Sequence, residues 1–316
     1  MSKTFKAKII RSSKREFDCL MENTTEIVKA VSLREILKKE HPVVGDNVII
    51  KKQEHGELYE INELCERQNE IFRRIVRSNK KKVIAANTDV LLIVASVSKP
   101  DYKPFLIDRY ITRSVQWNIP AIVVFTKMDE FKGQFDIELE IKKFNHLGVN
   151  FFEVSNIESS EFYESVRELR ELLSGKTAIC LGQSGVGKSK LITELSEGET
   201  QLVSSRLAKG ILKGAHTTSW AEMIPVKDFF IIDSPGVRTL AVSDISQSEL
   251  PSLFPDLEPL FHKCQFKDCR HEDNSKGCYF HELDPDIDED YIIMHRLVAY
   301  LKMREECEKI PEWKRS

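Results

Sequence analysis

The chain has 316 residues, 41% of them hydrophobic and 31% charged, with a formal net charge of -3. That length and apolar content suffice for two or three packed domains, and the near-balanced charge gives no global signal for a polyanionic partner. No apolar run approaches the roughly 20 residues of a membrane helix, and Met1-Ser2-Lys3-Thr4-Phe5-Lys6 precedes no signal-peptide core, so a cytoplasmic protein without membrane partners is expected.

Residues 1–69 hold short β-like runs, Lys6-Ala7-Lys8-Ile9-Ile10, Glu26-Ile27-Val28-Lys29-Ala30-Val31 and Asn47-Val48-Ile49-Ile50, separated by turn signals at Pro42 and Gly45-Asp46. Short strands at this density predict a five-stranded barrel of the OB type, a frequent single-strand nucleic-acid binder; an SH3-like barrel would read the same. A basic stretch follows, with Arg67, Arg73, Arg74, Arg77, Lys80, Lys81 and Lys82 against the single acid Glu70. It either contacts phosphates or forms a solvated face, and the sequence leaves both open. A second basic set comprises Arg206, Lys209 and Lys213.

Residues 70–245 read as an α/β domain. Apolar runs at Val90-Leu91-Leu92-Ile93-Val94-Ala95, Ala121-Ile122-Val123-Val124-Phe125, Phe151-Phe152-Glu153-Val154, Ala178-Ile179-Cys180-Leu181 and Phe229-Phe230-Ile231-Ile232 suit strands of a sheet covered on both faces. Helical periodicity around Asp108 to Trp117, Ile137 to Leu147 and Phe162 to Leu173 supplies the crossovers. Residues 246–316 form a smaller third unit, with a Cys/His cluster and a long helical pattern through Ile293, Leu297, Tyr300 and Leu301. The acidic run from Asp284 to Asp290 feeds that helix, where negative charge suits the N-terminal dipole. The expected fold is therefore multidomain: an OB-like β-barrel, a central α/β P-loop domain and a C-terminal, mostly helical metal-binding domain.

The first nucleotide motif along the chain is Thr126-Lys127-Met128-Asp129, directly after a strand. A carboxylate such as Asp129 can accept hydrogen bonds from the N1-H and exocyclic amine of guanine, a pairing that adenine cannot offer, and Lys127 can lay its stem along the base. Thr126 stands where Asn is usual, which puts affinity in question more than base choice. Ser155, ending the next strand, is either a position that reads the guanine carbonyl or a solvent-facing loop serine. Gly182-Gln183-Ser184-Gly185-Val186-Gly187-Lys188-Ser189, between a strand and a helix-competent segment that begins with Lys190, has the form of a phosphate loop. Its backbone N-H groups can wrap phosphates, Lys188 adds charge at the β and γ groups, and Ser189 can ligate Mg²⁺. Asp233-Ser234-Pro235-Gly236 follows a further strand, placing Asp233 to hold the Mg²⁺ shell and the Gly236 N-H to sense a γ-phosphate. Val237 replaces the glutamine that orients water in many GTPases, which predicts slow intrinsic hydrolysis unless another group does that work.

The base-recognition motif thus precedes the phosphate loop, whereas an ordinary GTPase has them the other way round. A circular permutation explains the order, because the ends of a compact domain usually lie close together at its surface. Between phosphate loop and Asp233, where switch I falls, lies Lys213-Gly214-Ala215-His216-Thr217-Thr218. Thr217 or Thr218 can complete the Mg²⁺ shell, and His216 can orient water or be a surface residue.

Cys264-x4-Cys269-x-His271-x6-Cys278 supplies three thiols and one imidazole in a short polar stretch, which reads as one structural Zn²⁺ site, with His262 and His281 as nearby substitutes for His271. Seven cysteines, an odd number, fit metal binding in a reducing compartment better than a disulfide framework. Cys19, Cys65, Cys180 and Cys307 lie in apolar or helical patterns and are expected to pack.

Taken together, the barrel-like start, the permuted motifs and the Cys-x4-Cys-x-His-x6-Cys element resemble the RsgA family of ribosome small-subunit-dependent GTPases. Pro42-Val43-Val44-Gly45-Asp46-Asn47-Val48, Ile84-Ala85-Ala86-Asn87-Thr88-Asp89, Ile107-Asp108-Arg109-Tyr110 and Gly214 to Thr218 add to the likeness, with Ala215 standing where that family has a basic residue. The resemblance implies a factor that acts late in small-subunit assembly, binds GTP and GDP, is activated by the particle, and touches rRNA through barrel and zinc domain. It also implies that His216 serves hydrolysis. A monomer is the default expectation. An RNA-binding switch in which nucleotide gates binding and hydrolysis is incidental is the alternative function.

Overall fold

The computed structural model of the chain describes residues 3–13, 15–54, 56–75, 80–155, 160–196, 221–233 and 242–309. Among them, no helix is long and apolar enough to cross a membrane.

Five strands form the N-terminal barrel: β1 (Thr4–Ser12), β2 (Glu16–Met21), β3 (Ile27–Ser32), β4 (Asn47–Lys52) and β5 (Tyr59–Leu64), with a short helix α1 (Arg34–Lys39) between β3 and β4. Their order is β1-β2-β3-β5-β4, and β1 pairs with β4 to close the barrel. A meander would pair β3 with β4, so this is the OB arrangement rather than the SH3-like alternative. Alternate residues Ala7, Ile9, Phe17, Cys19, Val28, Ala30, Val48, Ile50 and Ile61 fill the interior.

A two-stranded hairpin, β6 (Glu70–Ile75) and β7 (Lys80–Ala86), separates the barrel from the central sheet. That sheet contains β8 (Val90–Ser96), β9 (Ala121–Thr126), β10 (Asn150–Val154), β11 (Thr177–Leu181), β12 (Glu222–Val226) and β13 (Phe229–Asp233), in the order β10-β9-β8-β11-β13-β12. Every residue of β8, β9 and β11 is buried, as parallel strands covered on both faces require. The helices are α2 (Pro104–Trp117), α3 (Ile137–His146), α4 (Ser160–Leu173) and α5 (Lys188–Leu195).

Barrel and sheet are continuous. One pairing, Arg11 with Glu222, joins β1 to β12. The register of β1 against β2 shifts between Ile9 and Arg11, and this bulge lets consecutive residues face two cores. Ile9 enters the barrel core, whereas Ile10 joins the core of the central domain.

The C-terminal unit has its own core, from Val242 and Leu250 to Met303 and Cys307, built around a one-turn helix α6 (Glu258–Phe261) and the long α7 (Asp288–Glu308). Asp288, Glu289 and Asp290 occupy the first turn of α7, as the acidic run suggested. The helix docks on α2 and α3 through a buried ionic chain. Arg296 binds Asp108 at 2.8 Å and Asp256 at 2.8 Å, Lys143 lies 3.6 Å from Asp108 and 3.1 Å from Glu140, and Tyr102 donates to Glu140 at 2.7 Å.

Candidate nucleotide and metal sites

The nucleotide motifs gather at the C-terminal ends of the central strands. Thr126 closes β9, and its buried hydroxyl lies within hydrogen-bond reach of the Ala95 carbonyl at the end of β8 and of the Val186 carbonyl in the phosphate loop. A threonine hydroxyl therefore makes the bridge between β9 and the glycine-rich loop, at the position where Asn is usual in the motif. Lys127, in the left-handed region at φ 62°, donates to the Gly185 carbonyl at 3.1 Å and to the Lys99 carbonyl. The next turn carries Met128, half-buried, and Asp129, exposed.

Ser155, which the sequence left open between a base-reading and a solvent-facing position, donates its hydroxyl to Asp129 Oδ1 at 3.0 Å. That bond ties the turn that carries Asp129 to the end of β10. A recess beside it is lined by Thr126, Lys127, Ser155, Lys190, Leu191 and Glu194, among others. Leu191 and Glu194 were not anticipated, although a helix starting at Lys188 puts Glu194 one turn beyond Lys190, with Leu191 three residues before it on the same side.

Gly182 opens the phosphate loop where a Cβ would lie 2.2 Å from the Val94 carbonyl oxygen, so only glycine permits this approach to β8. Gln183, Ser184, Gly185, Val186 and Gly187 complete the turn, and Ser189 sits in the first turn of α5. Lys188 folds over the loop and donates to the carbonyls of Gly182 (2.7 Å) and Gln183 (2.6 Å). β11 and β13 run parallel with Ile179 opposite Ile232, which brings Asp233 to the root of the loop. Ser189 and Asp233 thus stand on adjacent elements, a donor pair that suits a hard cation held through oxygen. His216, Thr217, Thr218 and Gly236 lie outside the described residues, as do Ala215 and the basic set Arg206, Lys209 and Lys213.

In the C-terminal unit, the ligand atoms of Cys264, Cys269, His271 and Cys278 all lie within 4.8 Å of one another. His271 Nδ1 is 3.4 Å from Cys264 Sγ and 3.7 Å from Cys278 Sγ. Tetrahedral Zn-S and Zn-N bonds of about 2.3 and 2.0 Å place such atoms about 3.5 Å apart, so the four fit one zinc. Phe261 stacks on the imidazole at 4.6 Å and Phe280 meets it edge-on at 5.2 Å, holding the ring in place. Burial keeps His271 neutral, lowering it to about 4, the form a metal ligand needs. Burial also pushes the Cys278 thiol up to about 12, so its proton would leave in exchange for a cation. His281 instead approaches the Glu272 carbonyl, and neither it nor His262 joins the cluster.

A family model described as RsgA GTPase matches residues 64–243. The chain belongs to the RsgA GTPase family. It is accordingly a GTPase, a hydrolase of GTP. Over 278 residues it is 30% identical to the small ribosomal subunit biogenesis GTPase RsgA of Bacteroides fragilis, an alignment covering 86% of each chain. Two solved structures share the fold at 22% identity: YloQ, described as a circularly permuted GTPase, with a TM-score of 0.68 over 97% of this chain and 96% of that one, and YjeQ from Thermotoga maritima, with a TM-score of 0.69 over 97% and 99%. The permuted order of motifs thus belongs to the RsgA fold, as does the three-part architecture of barrel, P-loop domain and Cys/His-bearing helical unit.

Proposed function

We propose that this chain is a small ribosomal subunit biogenesis GTPase, hydrolysing GTP to GDP and phosphate under activation by the small ribosomal subunit and acting in that particle's late maturation. The observation that carries the nucleotide half of this reading is the clamp from β9 to the phosphate loop, in which Thr126 reaches Val186 and Lys127 reaches Gly185. The reading is supported by this clamp because it ties the strand before Asp129, whose carboxylate accepts from Ser155, to the glycine-rich loop, the arrangement that binding base and phosphates together requires. The ribosomal half is supported by the relative from Bacteroides fragilis, whose name states that role.

In this mechanism Asp129 selects guanine, Lys127 covers the base, and residues 182–190 bind the phosphates, with Lys188 leaving its loop carbonyls for the β and γ groups. Ser189, Asp233 and Thr217 or Thr218 would hold Mg²⁺, which would supply positive charge to neutralise the phosphates. Gly236 senses the γ-phosphate, and His216 orients the attacking water in place of glutamine. Residues 1–69 and 246–316 contact rRNA on either side of the catalytic domain 70–245, and Cys264, Cys269, His271 and Cys278 would hold a structural zinc. The protein acts as a cytoplasmic monomer.

The test is GTP turnover with and without purified small subunits, with ATP and large subunits as controls. Stimulation confined to GTP and the small subunit, and lost in His216→Ala, is expected. Tight GDP binding without stimulation would instead make the chain a nucleotide-gated RNA-binding switch.

A further inference from the structure

The loop between β8 and α2, residues 97–103, is the backing of the nucleotide site. Lys127 donates to the carbonyls of both Lys99 and Gly185, so one ammonium joins this loop to the phosphate loop. Ser96 adds a hydroxyl bond to the same Lys99 carbonyl at 3.1 Å. Pro100 lies against Gly185, where a Cβ would stand 3.7 Å from the proline Cδ. Pro100, Tyr102 and Lys103 also line a recess shared with Gly182 and Gln183. Displacing residues 97–103 therefore displaces what Lys127 and the phosphate loop lean on.

Tyr102 anchors that loop on its other side. Its ring stacks on Phe135 at 4.0 Å and meets Phe125 of β9 edge-on at 5.5 Å, and its hydroxyl donates to the buried Glu140 at 2.7 Å. Beyond Glu140 the ionic chain runs on to the C-terminal unit. Lys143 is 3.1 Å from Glu140 and 3.6 Å from Asp108, and Asp108 accepts from Arg296 of α7 at 2.8 Å.

Among the described residues this chain sets three carboxylates with buried side chains, Glu140, Asp108 and Asp256, against two cations, Lys143 and Arg296. Negative charge is in excess, and each carboxylate taken from water needs donors. The Tyr102 hydroxyl supplies one. Burial, together with the Glu140 charge, raises the phenol well above its usual range, so it keeps the proton it donates. The members of such a chain cannot be set independently. With Arg296 withdrawn, Lys143 is the one cation of the chain left for Asp108 and Glu140 together, and the hold on Tyr102 changes with it.

We infer that Tyr102 is a positioning residue for the nucleotide site, holding residues 97–103 against the phosphate loop and Lys127, and that Glu140, Lys143, Asp108 and Arg296 make the seating of the C-terminal unit part of that support. This role rests on the guanine-nucleotide site proposed above. Seating of α7 favours nucleotide binding, and bound nucleotide tightens α7 to the same degree, since a coupling free energy acts equally on both partners.

Tyr102→Phe keeps the ring against Phe135 and Phe125 and removes only the hydroxyl. Full-length wild type and variant are titrated with fluorescent GDP, and hydrogen exchange of α7 from Ile292 to Met303 is followed with and without GDP. In the wild type, GDP should slow that exchange about fivefold or more. In Tyr102→Phe the Kd for GDP should rise about fivefold or more, and the effect of GDP on α7 should shrink to less than about twofold. A hydroxyl that merely stabilises the fold would speed exchange equally with and without GDP. That outcome, or an unchanged Kd, overturns the role of Tyr102. Glu140→Gln/Lys143→Met leaves Tyr102 an acceptor but breaks the chain to Asp108, and should also abolish the effect of GDP on α7. Its persistence there overturns the part given to the C-terminal unit, even if Tyr102 positions the loop. A wild type that binds GDP tightly with no change at α7 refutes the link while leaving the proposed function intact, whereas a wild type that binds no guanine nucleotide refutes both.

Discussion

Removing the guanidinium of Arg296 tests how the C-terminal unit is held to the catalytic domain. The side chain is 1% exposed and faces two carboxylates that are themselves 4% and 5% exposed, Asp108 on α2 and Asp256 before α6. It binds Asp256 through two bonds, of 2.8 and 3.2 Å, and Asp108 through one of 2.8 Å. Arg296→Met keeps a long side chain but removes the guanidinium, which lies 4.8 Å over the Phe254 ring, and leaves both carboxylates without their shared cation; Lys143, 3.6 Å from Asp108, offsets only part of that. Breaking a buried pair in this way costs about 3 to 5 kcal/mol, far more than an exposed pair contributes. Because a multidomain chain need not unfold in one step, the suitable assay is native-state hydrogen exchange of α7 amides from Ile292 to Met303. Their protection should fall by roughly two to nearly four orders of magnitude, at about 1.4 kcal/mol per tenfold. Asp108→Asn/Arg296→Met/Asp256→Asn, which removes the orphaned charges as well, should recover more than half of the loss. A loss below about 1 kcal/mol in the single variant, or no recovery in the triple one, would refute this account of the interface.

Three further outcomes are expected. Gly45→Ala places a Cβ 1.9 Å from the Ala86 carbonyl oxygen at φ +91°, so the junction of barrel and catalytic domain should lose about 3 kcal/mol or more, read as a lowered denaturant midpoint. Thr126→Val keeps the shape but removes the hydroxyl that reaches Val186, so GDP affinity, by fluorescent-nucleotide titration, should weaken by about 1 to 2 kcal/mol, or five- to thirtyfold, with little change in fold. Metal-free protein should lose stability in its C-terminal unit as pH falls from about 6.5 towards 4. His271 is lowered to about 4 in the folded state, so over that window the unfolded chain takes up a proton that the folded chain does not. Urea melts of chelator-treated protein across that range check the sign.

What the sequence revealed about this molecule is what lies close together along it. The phosphate loop, the guanine motif and the Cys/His cluster each occupy a short stretch whose residue types carry their chemistry, and central strands such as β8 and β9 are plain apolar runs. β12 escaped notice because Pro225 interrupts a five-residue run, a break that is tolerated since the strand pairs fully only with β13. β2 and β5 mix acidic and apolar residues on a small barrel, leaving too weak an alternation to read. The basic stretch looked like one patch, yet Arg67 is bound by Asp46 and Glu70, and Arg74 by Glu249, so only part of it faces outward. Ser155 likewise gained significance only from Asp129, 26 residues away. The clearest case is Ile107-Asp108-Arg109-Tyr110, which stands out in the sequence as a family signature without a reason. Its reason is distant: Asp108 binds Arg296, 188 positions on, and Arg109 binds Glu306, 197 positions on. A turn of α2 that looks like part of the GTPase is thus a docking site for α7, and two ion pairs from that one turn fasten the C-terminal unit to the catalytic domain.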